Sequence, residues 1–204
     1  GVMPGWNEMI YNKDILDEAG VEEPDGPNMT WNDLIEMCKT IKDETGKWAI
    51  DVGHWWWGQE MINRNYGASI VEYMAKESGF LDETVQQAHK MIYDMANTYE
   101  IMPTSAAMEG DRNKMFAGGK LCMMVNCAAD IVCGMSDAVG GRFKYGYTTI
   151  PQADNGLWGT STWADSVNIY SESEVIDVAF KICAEVGSVE ASKWTCLTTG
   201  MTPG

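Results

Sequence analysis

Five consecutive apolar residues, Leu121-Cys122-Met123-Met124-Val125, constrain this chain more than any other segment. A short run with no polar interruption reads as a strand buried on both faces. Such a strand needs a sheet, and the sheet needs cover on each side. Helix signals supply that cover. Thr30 followed by Asp33 is a capping-box pattern, and Trp31, Leu34, Ile35, Cys38 and Ile41 then share one helical face until Gly46 stops it. Asp82 caps a second helix carrying Val85, Ala88, Ile92, Met95 and Tyr99, with Pro103 just beyond. Shorter helices are predicted over 14–19, ended by Gly20, and over 111–117, closed by Gly118-Gly119. A further turn or two is expected over 128–135. Ser173 opens a last helix with Val175, Ile176, Ala179, Phe180 and Cys183 on its inner face, ended by Gly187. Strand patterns occupy 8–12, 48–52, 143–150 and 163–170. Residues 21–28, rich in Pro and acids, read as a loop, and 59–76 has mixed helical periodicity broken near Gly67. Strands alternating with helices predict an α/β architecture with helices on both faces of one sheet. No internal repeat and no low-complexity tract occurs.

The 204 residues suffice for one well-buried domain, or a domain plus an appendage. Thirty acidic against fourteen basic side chains give a net charge of -16. That excess argues against nucleic acid, whose phosphates need Lys and Arg, and against docking on anionic lipid. No run of about 18 apolar residues occurs. Six cysteines, Cys38, Cys122, Cys127, Cys133, Cys183 and Cys196, form no C-x-x-C pair. They sit in apolar runs, where a reduced thiol behaves as a small hydrophobe, so most are expected to be reduced core residues.

His54-Trp55-Trp56-Trp57-Gly58 is the most unusual local feature. Three adjacent indoles cannot share one buried face, because a strand alternates successive side chains across its two sides. At least one indole is expected to be exposed and to mark a binding surface. Sugars present C–H faces that stack on aromatic rings, and an indole N–H can donate to a hydroxyl. The alternative is that two indoles pack internally and one covers a loop.

Further segments carry a family pattern. They are Gly5-Trp6-Asn7-Glu8-Met9-Ile10-Tyr11-Asn12-Lys13-Asp14, Thr30-Trp31-Asn32-Asp33-Leu34, Met115-Phe116-Ala117-Gly118-Gly119-Lys120 with the apolar run up to Asn126, Tyr145-Gly146-Tyr147-Thr148-Thr149-Ile150-Pro151, and Lys193-Trp194-Thr195-Cys196-Leu197 near the end. Their order and spacing resemble the extracellular solute-binding proteins of ABC importers, family 1, the group that includes maltose-binding protein. The resemblance implies a periplasmic-binding-protein-like (type II) α/β lobe with a mixed sheet flanked by helices. In that family most of a first lobe precedes the YNKD segment. The resemblance therefore implies that residues 8–157 are the second, ligand-binding lobe. Residues 158–204 are then the returning hinge strand and helices of the other, incomplete lobe. The chain shows no signal-peptide pattern, which the resemblance attributes to truncation or processing rather than to cytoplasmic residence.

The resemblance also places candidate ligand contacts. Trp6, Asn7 and Glu8 lie where the family's crossover strand meets the cleft, although a plain strand end covered by Trp6 is the alternative. Trp55, Trp56 and Trp57 follow a strand after which the family often carries a cleft aromatic. Trp158 and Trp163 flank the returning crossover, and at most one is expected to line the cleft. Asn126 leads into a ligand loop, but Cys127-Ala128-Ala129 stand where the family commonly has Gly-Pro-Trp. The implied function is capture of a small solute, a sugar, by stacking and hydrogen bonding between two lobes. The partners are ABC permease subunits, and self-association through the incomplete lobe is an added expectation. The place is extracellular, as a lipid-anchored lipoprotein or in the periplasm.

Enzyme chemistry finds no foothold. Asp51, Glu60 and Asp130 form no recognisable carboxylate pair, and there is no G-x-S-x-G elbow for a triad with His54 or His89. Cys122, Cys127 and Cys133 lack the spacing of zinc sites, so no metal and no cofactor is expected. Two other readings stay open: a different solute on the same fold, such as a polyamine suited to the acidic surface, and a protein-interaction module.

Overall fold

The computed structural model describes residues 3–53, 56–71, 77–108, 111–127, 129–160 and 162–199. Its main body is a four-stranded mixed sheet in the order β3-β4-β2-β5. Here β2 is Glu8–Asn12, β3 Trp48–Asp51, β4 Leu121–Cys127 and β5 Tyr145–Thr148. Strands β3 and β4 run parallel, whereas β2 is antiparallel to both β4 and β5. The five-residue apolar run thus lies in an interior strand, as its composition demands. Side chains alternate across the sheet: Met9, Tyr11, Met123 and Val125 face one core, and Ile10 and Met124 face the other.

Helices α1 (Lys13–Ala19), α2 (Trp31–Thr45), α3 (Trp56–Asn65) and α4 (Glu83–Asn97) supply the larger core. Helices α5 (Arg112–Ala117) and α6 (Ala129–Val139) cover the opposite face. There Phe116 meets Phe143 edge to face at 5.6 Å. The caps are local chemistry. Thr30 and Asp33 close a reciprocal capping box at the start of α2, and Asp82 accepts from Thr84 and Val85 at the start of α4. Gly20 ends α1 in the left-handed conformation that a residue with a Cβ resists.

Several expectations move. The helix expected after Gln59 starts earlier, at Trp56, so Trp56 and Trp57 open a helix and not a strand or loop. Successive helical positions also point in different directions, so the argument against a shared face survives the change. Tyr99 falls beyond the end of α4 and is exposed, with Lys39 Nζ 4.2 Å from its ring centroid. The later elements are shorter than their patterns: β6 is Thr162–Asp165 and α7 is Ile176–Val186, followed by α8 (Val189–Thr199). Strand β6 pairs antiparallel with β1 (Met3–Trp6) in a separate two-stranded sheet.

The expected inner face of α7 is not covered. Val175, Ile176 and Phe180 are exposed, Phe180 by 65%, and Cys183 is only half-buried. Among the described residues none after Ala153 is buried. The periodicity predicted a buried inner face, but among the described residues α8 meets α7 without burying these side chains.

A polar clamp ties the segment after β5 to the main body. The buried Trp31 indole N–H donates to Asn65 Oδ1 at 3.0 Å, and Asn65 Nδ2 donates to the Gly159 carbonyl at 3.0 Å. Tyr66 donates to Asp154, and Asn155 Nδ2 donates to the Tyr66 carbonyl. Burial first, then the hydrogen bond to Asp154, pushes the Tyr66 phenol well above its ordinary value. Replacing Asn65 by Ala is expected to destabilise the chain by about 1–3 kcal/mol, since it strands a buried indole donor. Urea unfolding of Asn65→Ala, and of Asn65→Ala combined with Trp31→Phe, measures this; the second replacement should recover part of the loss.

Candidate functional site at the sheet edge

The carboxyl ends of the parallel strands β3 and β4 reach the same edge of the sheet, where α3 and α6 begin. Strand β2, antiparallel to β4, starts at that edge, with Glu8 opposite Cys127. In open α/β sheets ligands bind outside the carboxyl ends of strands. Two connecting segments also meet here. Residue Asn7 links β1 to β2, and Thr160, just before β6, donates its hydroxyl to the Asn7 carbonyl at 3.0 Å.

The edge rests on a buried ion pair that the sequence did not single out. Asp51 ends β3 and is fully buried; Arg112, on α5, is nearly so. Arg112 Nη1 lies 3.1 Å from Asp51 Oδ2 and donates to the Val125 carbonyl of β4 at 2.8 Å. The Gly53 N–H donates to the same Asp51 oxygen at 3.1 Å. One guanidinium thus joins the ends of two strands and the turn into α3. Gly53 takes φ 86°, which a Cβ would strain, so the turn depends on glycine. A local signal did exist, in an acid closing the apolar strand Trp48-Ala49-Ile50. Its partner sits 61 residues away, beyond any spacing rule.

The predicted contacts sort as follows. Asn7 is 3% exposed, and its Nδ2 has no hydrogen-bond partner among the described residues. Glu8 is half-buried at the start of β2. Trp56, the first residue of α3, is 69% exposed. Trp158 is half-exposed, but its indole N–H is committed to the Ile150 carbonyl at 3.0 Å, so only its ring faces remain available. Trp6 closes β1 opposite Thr162, Trp163 lies opposite Gly5 in β6, Asn126 belongs to β4 and Trp57 to α3; their side chains lie outside the description. Trp55 and His54 lie outside the described residues altogether.

The imagined acids are committed elsewhere. Asp51 holds Arg112. Glu60 accepts from Ser69, the Ile70 N–H and Arg64. Burial alone would raise the Glu60 carboxyl, but hydrogen bonds from Ser69, Ile70, Asn63 and Arg64 outweigh it and hold it below the usual range. The Asp130 side chain is not described. Cys38 and Cys122 are free and buried, and burial pushes the Cys122 thiol up to about 12, which removes its nucleophilic character near neutral pH. Cys183 is also free, while the side chains of Cys127, Cys133 and Cys196 lie outside the description. Among the described residues no cluster of His, Cys, Asp and Glu could hold a metal, and no helix is long and apolar enough to cross a membrane.

Known proteins share this architecture. A protein of Brucella abortus strain 2308, described as a binding protein, is 26% identical over 190 residues, which is 85% of this chain and 42% of that protein. An ABC substrate-binding protein from Listeria monocytogenes, solved in complex with cycloalternan, superposes with a TM-score of 0.87 at 20% identity. It covers 98% of this chain, which matches 51% of it. Maltose-bound MalE3 of T. maritima gives 0.78 at 18% identity, covering 98% of this chain and 53% of its own. At these identities the solved structures establish a shared fold, the type II periplasmic-binding-protein-like α/β arrangement. The chain spans about half the length of these relatives. The pattern of one family matches residues 2–188, nearly the whole chain, and the protein therefore belongs to the bacterial extracellular solute-binding proteins.

Proposed function

We propose that this chain supplies the second lobe and returning crossover of a carbohydrate-binding component of an ABC importer. The protein acts outside the cytoplasmic membrane, lipid-anchored or periplasmic, and hands captured sugar to permease subunits. Residues 8–157 form the ligand lobe, and residues from 158 onward belong to the other lobe. Support for that division comes from the loss of burial after Ala153 and the open apolar face of α7.

The observation that carries the sugar reading is the exposed Trp56 indole opening α3 at the sheet edge where Asn7 leads into β2 and Glu8 begins it. An aromatic face, an amide and a carboxylate are the groups that a polyol needs: stacking for its C–H face and paired acceptors and donors for its hydroxyls. The Asn7 Nδ2, without a partner among the described residues, adds a donor whose burial has a cost until something accepts from it. The relatives bound to cycloalternan and maltose favour the same ligand class. Lobe closure around the ligand removes water from both faces of the site.

A thermal-shift screen of neutral oligosaccharides against polyamines tests the assignment. Sugars are expected to raise the melting temperature. A shift with polyamines alone overturns the sugar reading, and no shift with any small solute, together with capture of a protein, favours an interaction module. Replacing Trp56 by Ala is expected to weaken sugar binding by about 1–3 kcal/mol with no loss of folding, since this ring is largely outside the core. Isothermal calorimetry on the bound sugar checks it; unchanged affinity removes Trp56 from the site.

A further inference from the structure

A recess runs along α3 from Trp56. It has a volume of about 640 Å³ and is lined by Trp56, Gln59, Glu60, Arg64, Ile70, Val71 and Phe80. That size falls within the roughly 300–1,000 Å³ of small-molecule pockets. Positions 56, 59, 60 and 64 recur at three- and four-residue steps, so they form one stripe along the outer face of α3. The opposite face, with Met61, Ile62 and Asn65, is buried. The stripe starts at Trp56, on the strand edge, and extends about 12 Å along the helix to Arg64.

The walls are fixed to the floor. Ser69 Oγ and the Ile70 N–H donate to Glu60, Arg64 Nη2 donates to the Val71 carbonyl at 3.1 Å, and the Gly79 N–H donates to the Ile70 carbonyl at 2.8 Å. Phe80 follows directly and stays 59% exposed. The recess is thus preformed, which lowers the ordering cost of binding.

Its chemistry selects the ligand. Glu60 and Arg64 neutralise each other at 2.9 Å, so the floor offers no net charge to a polycation or a phosphate. Trp56 and Phe80 offer aromatic surface to it, and Ile70 and Val71 add aliphatic wall. The Gln59 amide makes no hydrogen bond among the described residues, which leaves a donor and an acceptor for hydroxyls. A neutral, ring-stacking, hydroxyl-rich chain fits all of this.

We infer that this recess is an outer saccharide subsite, continuous through Trp56 with the sheet-edge site, and that the natural ligand is an oligosaccharide extending along α3 to Phe80. The inference rests on the sugar reading above. The test is calorimetry on the full-length protein with neutral glucose oligomers of two and five units, in α-1,4 and α-1,6 linkage. Phe80→Ala and Gln59→Ala are expected to weaken binding of the five-unit sugar at least about fivefold and leave the two-unit sugar unchanged. Circular dichroism checks that both variants fold, as the exposed Phe80 and the partly exposed Gln59 predict. Equal losses on both sugars, or none on either while the unmodified protein binds both alike, overturn the outer subsite and leave the sugar reading standing. Absence of binding by the unmodified protein to every sugar overturns both.

Discussion

Replacing Arg112 by Ala is expected to cost about 3–5 kcal/mol of folding stability, a large share of what a domain this size possesses. The guanidinium is nearly excluded from water and faces a carboxylate that is wholly excluded. Deleting it leaves the Asp51 charge in a medium where its hydration cannot be replaced. It also removes the bond to the Val125 carbonyl, so the ends of β3 and β4 lose their common anchor. Asp51→Asn alone should cost less, because a neutral amide tolerates burial better than a bare carboxylate. Arg112→Met with Asp51→Asn should recover part of the single loss, since replacing both charges removes the desolvation cost together with the attraction. Denaturant unfolding of the three variants tests this. If Arg112→Ala loses less than about 1 kcal/mol, the pair is not what fixes the sheet edge. Because that edge also positions the start of α3, sugar affinity should fall in Arg112→Ala even where the protein remains folded. The Trp56 indole at the start of α3 would then lose its fixed place.

The contrast between this pair and the caps shows what the sequence makes legible. Thr30 with Asp33, Asp82, and Gly20 each act within four residues, so their chemistry is written where it operates. The apolar run of β4 announced burial on both faces because no polar residue interrupts it. Boundaries failed where two local patterns competed. Trp56 and Trp57 satisfy helix and strand alike, and the structure places both in α3. Tyr99 continued the spacing of α4, yet Thr98 caps that helix and Glu100 turns the chain with φ 50°. The Asp51–Arg112 pair and the Trp31–Asn65–Gly159 chain join distant segments, and no period encodes them. The candidate contacts followed the same rule. Trp56 was flagged by crowding among neighbours, whereas the recess along α3 requires Phe80, which no motif connects to it.

Joining a first lobe upstream of β1 is expected to raise sugar affinity about a thousandfold over the isolated chain. A two-lobed binder holds its ligand between both lobes, and each contributes contacts that the other cannot replace. A micromolar complex corresponds to about 8 kcal/mol, and half of that leaves only millimolar binding. The exposed apolar side chains of α7 and its N-cap give the same argument a second readout. Val175, Ile176, Val178, Phe180 and Ile182 are 47–65% exposed, and Trp194 on α8 is 67% exposed. Apolar surface of this extent on neighbouring helices promotes association when nothing covers it. The isolated chain should therefore self-associate with rising concentration in sedimentation velocity, and Phe180→Glu should reduce that association. In the two-lobed protein the same residues should become protected from solvent, and the chain should stay monomeric. Calorimetry with one sugar on both forms decides the main point. Equal affinity would place the whole site within the lobe described here, and the two-lobe argument would fail. A thousandfold gap, together with loss of self-association, would mean that α7 and α8 complete the other lobe and that the sheet edge at Asn7, Glu8 and Trp56 is one wall of a cleft.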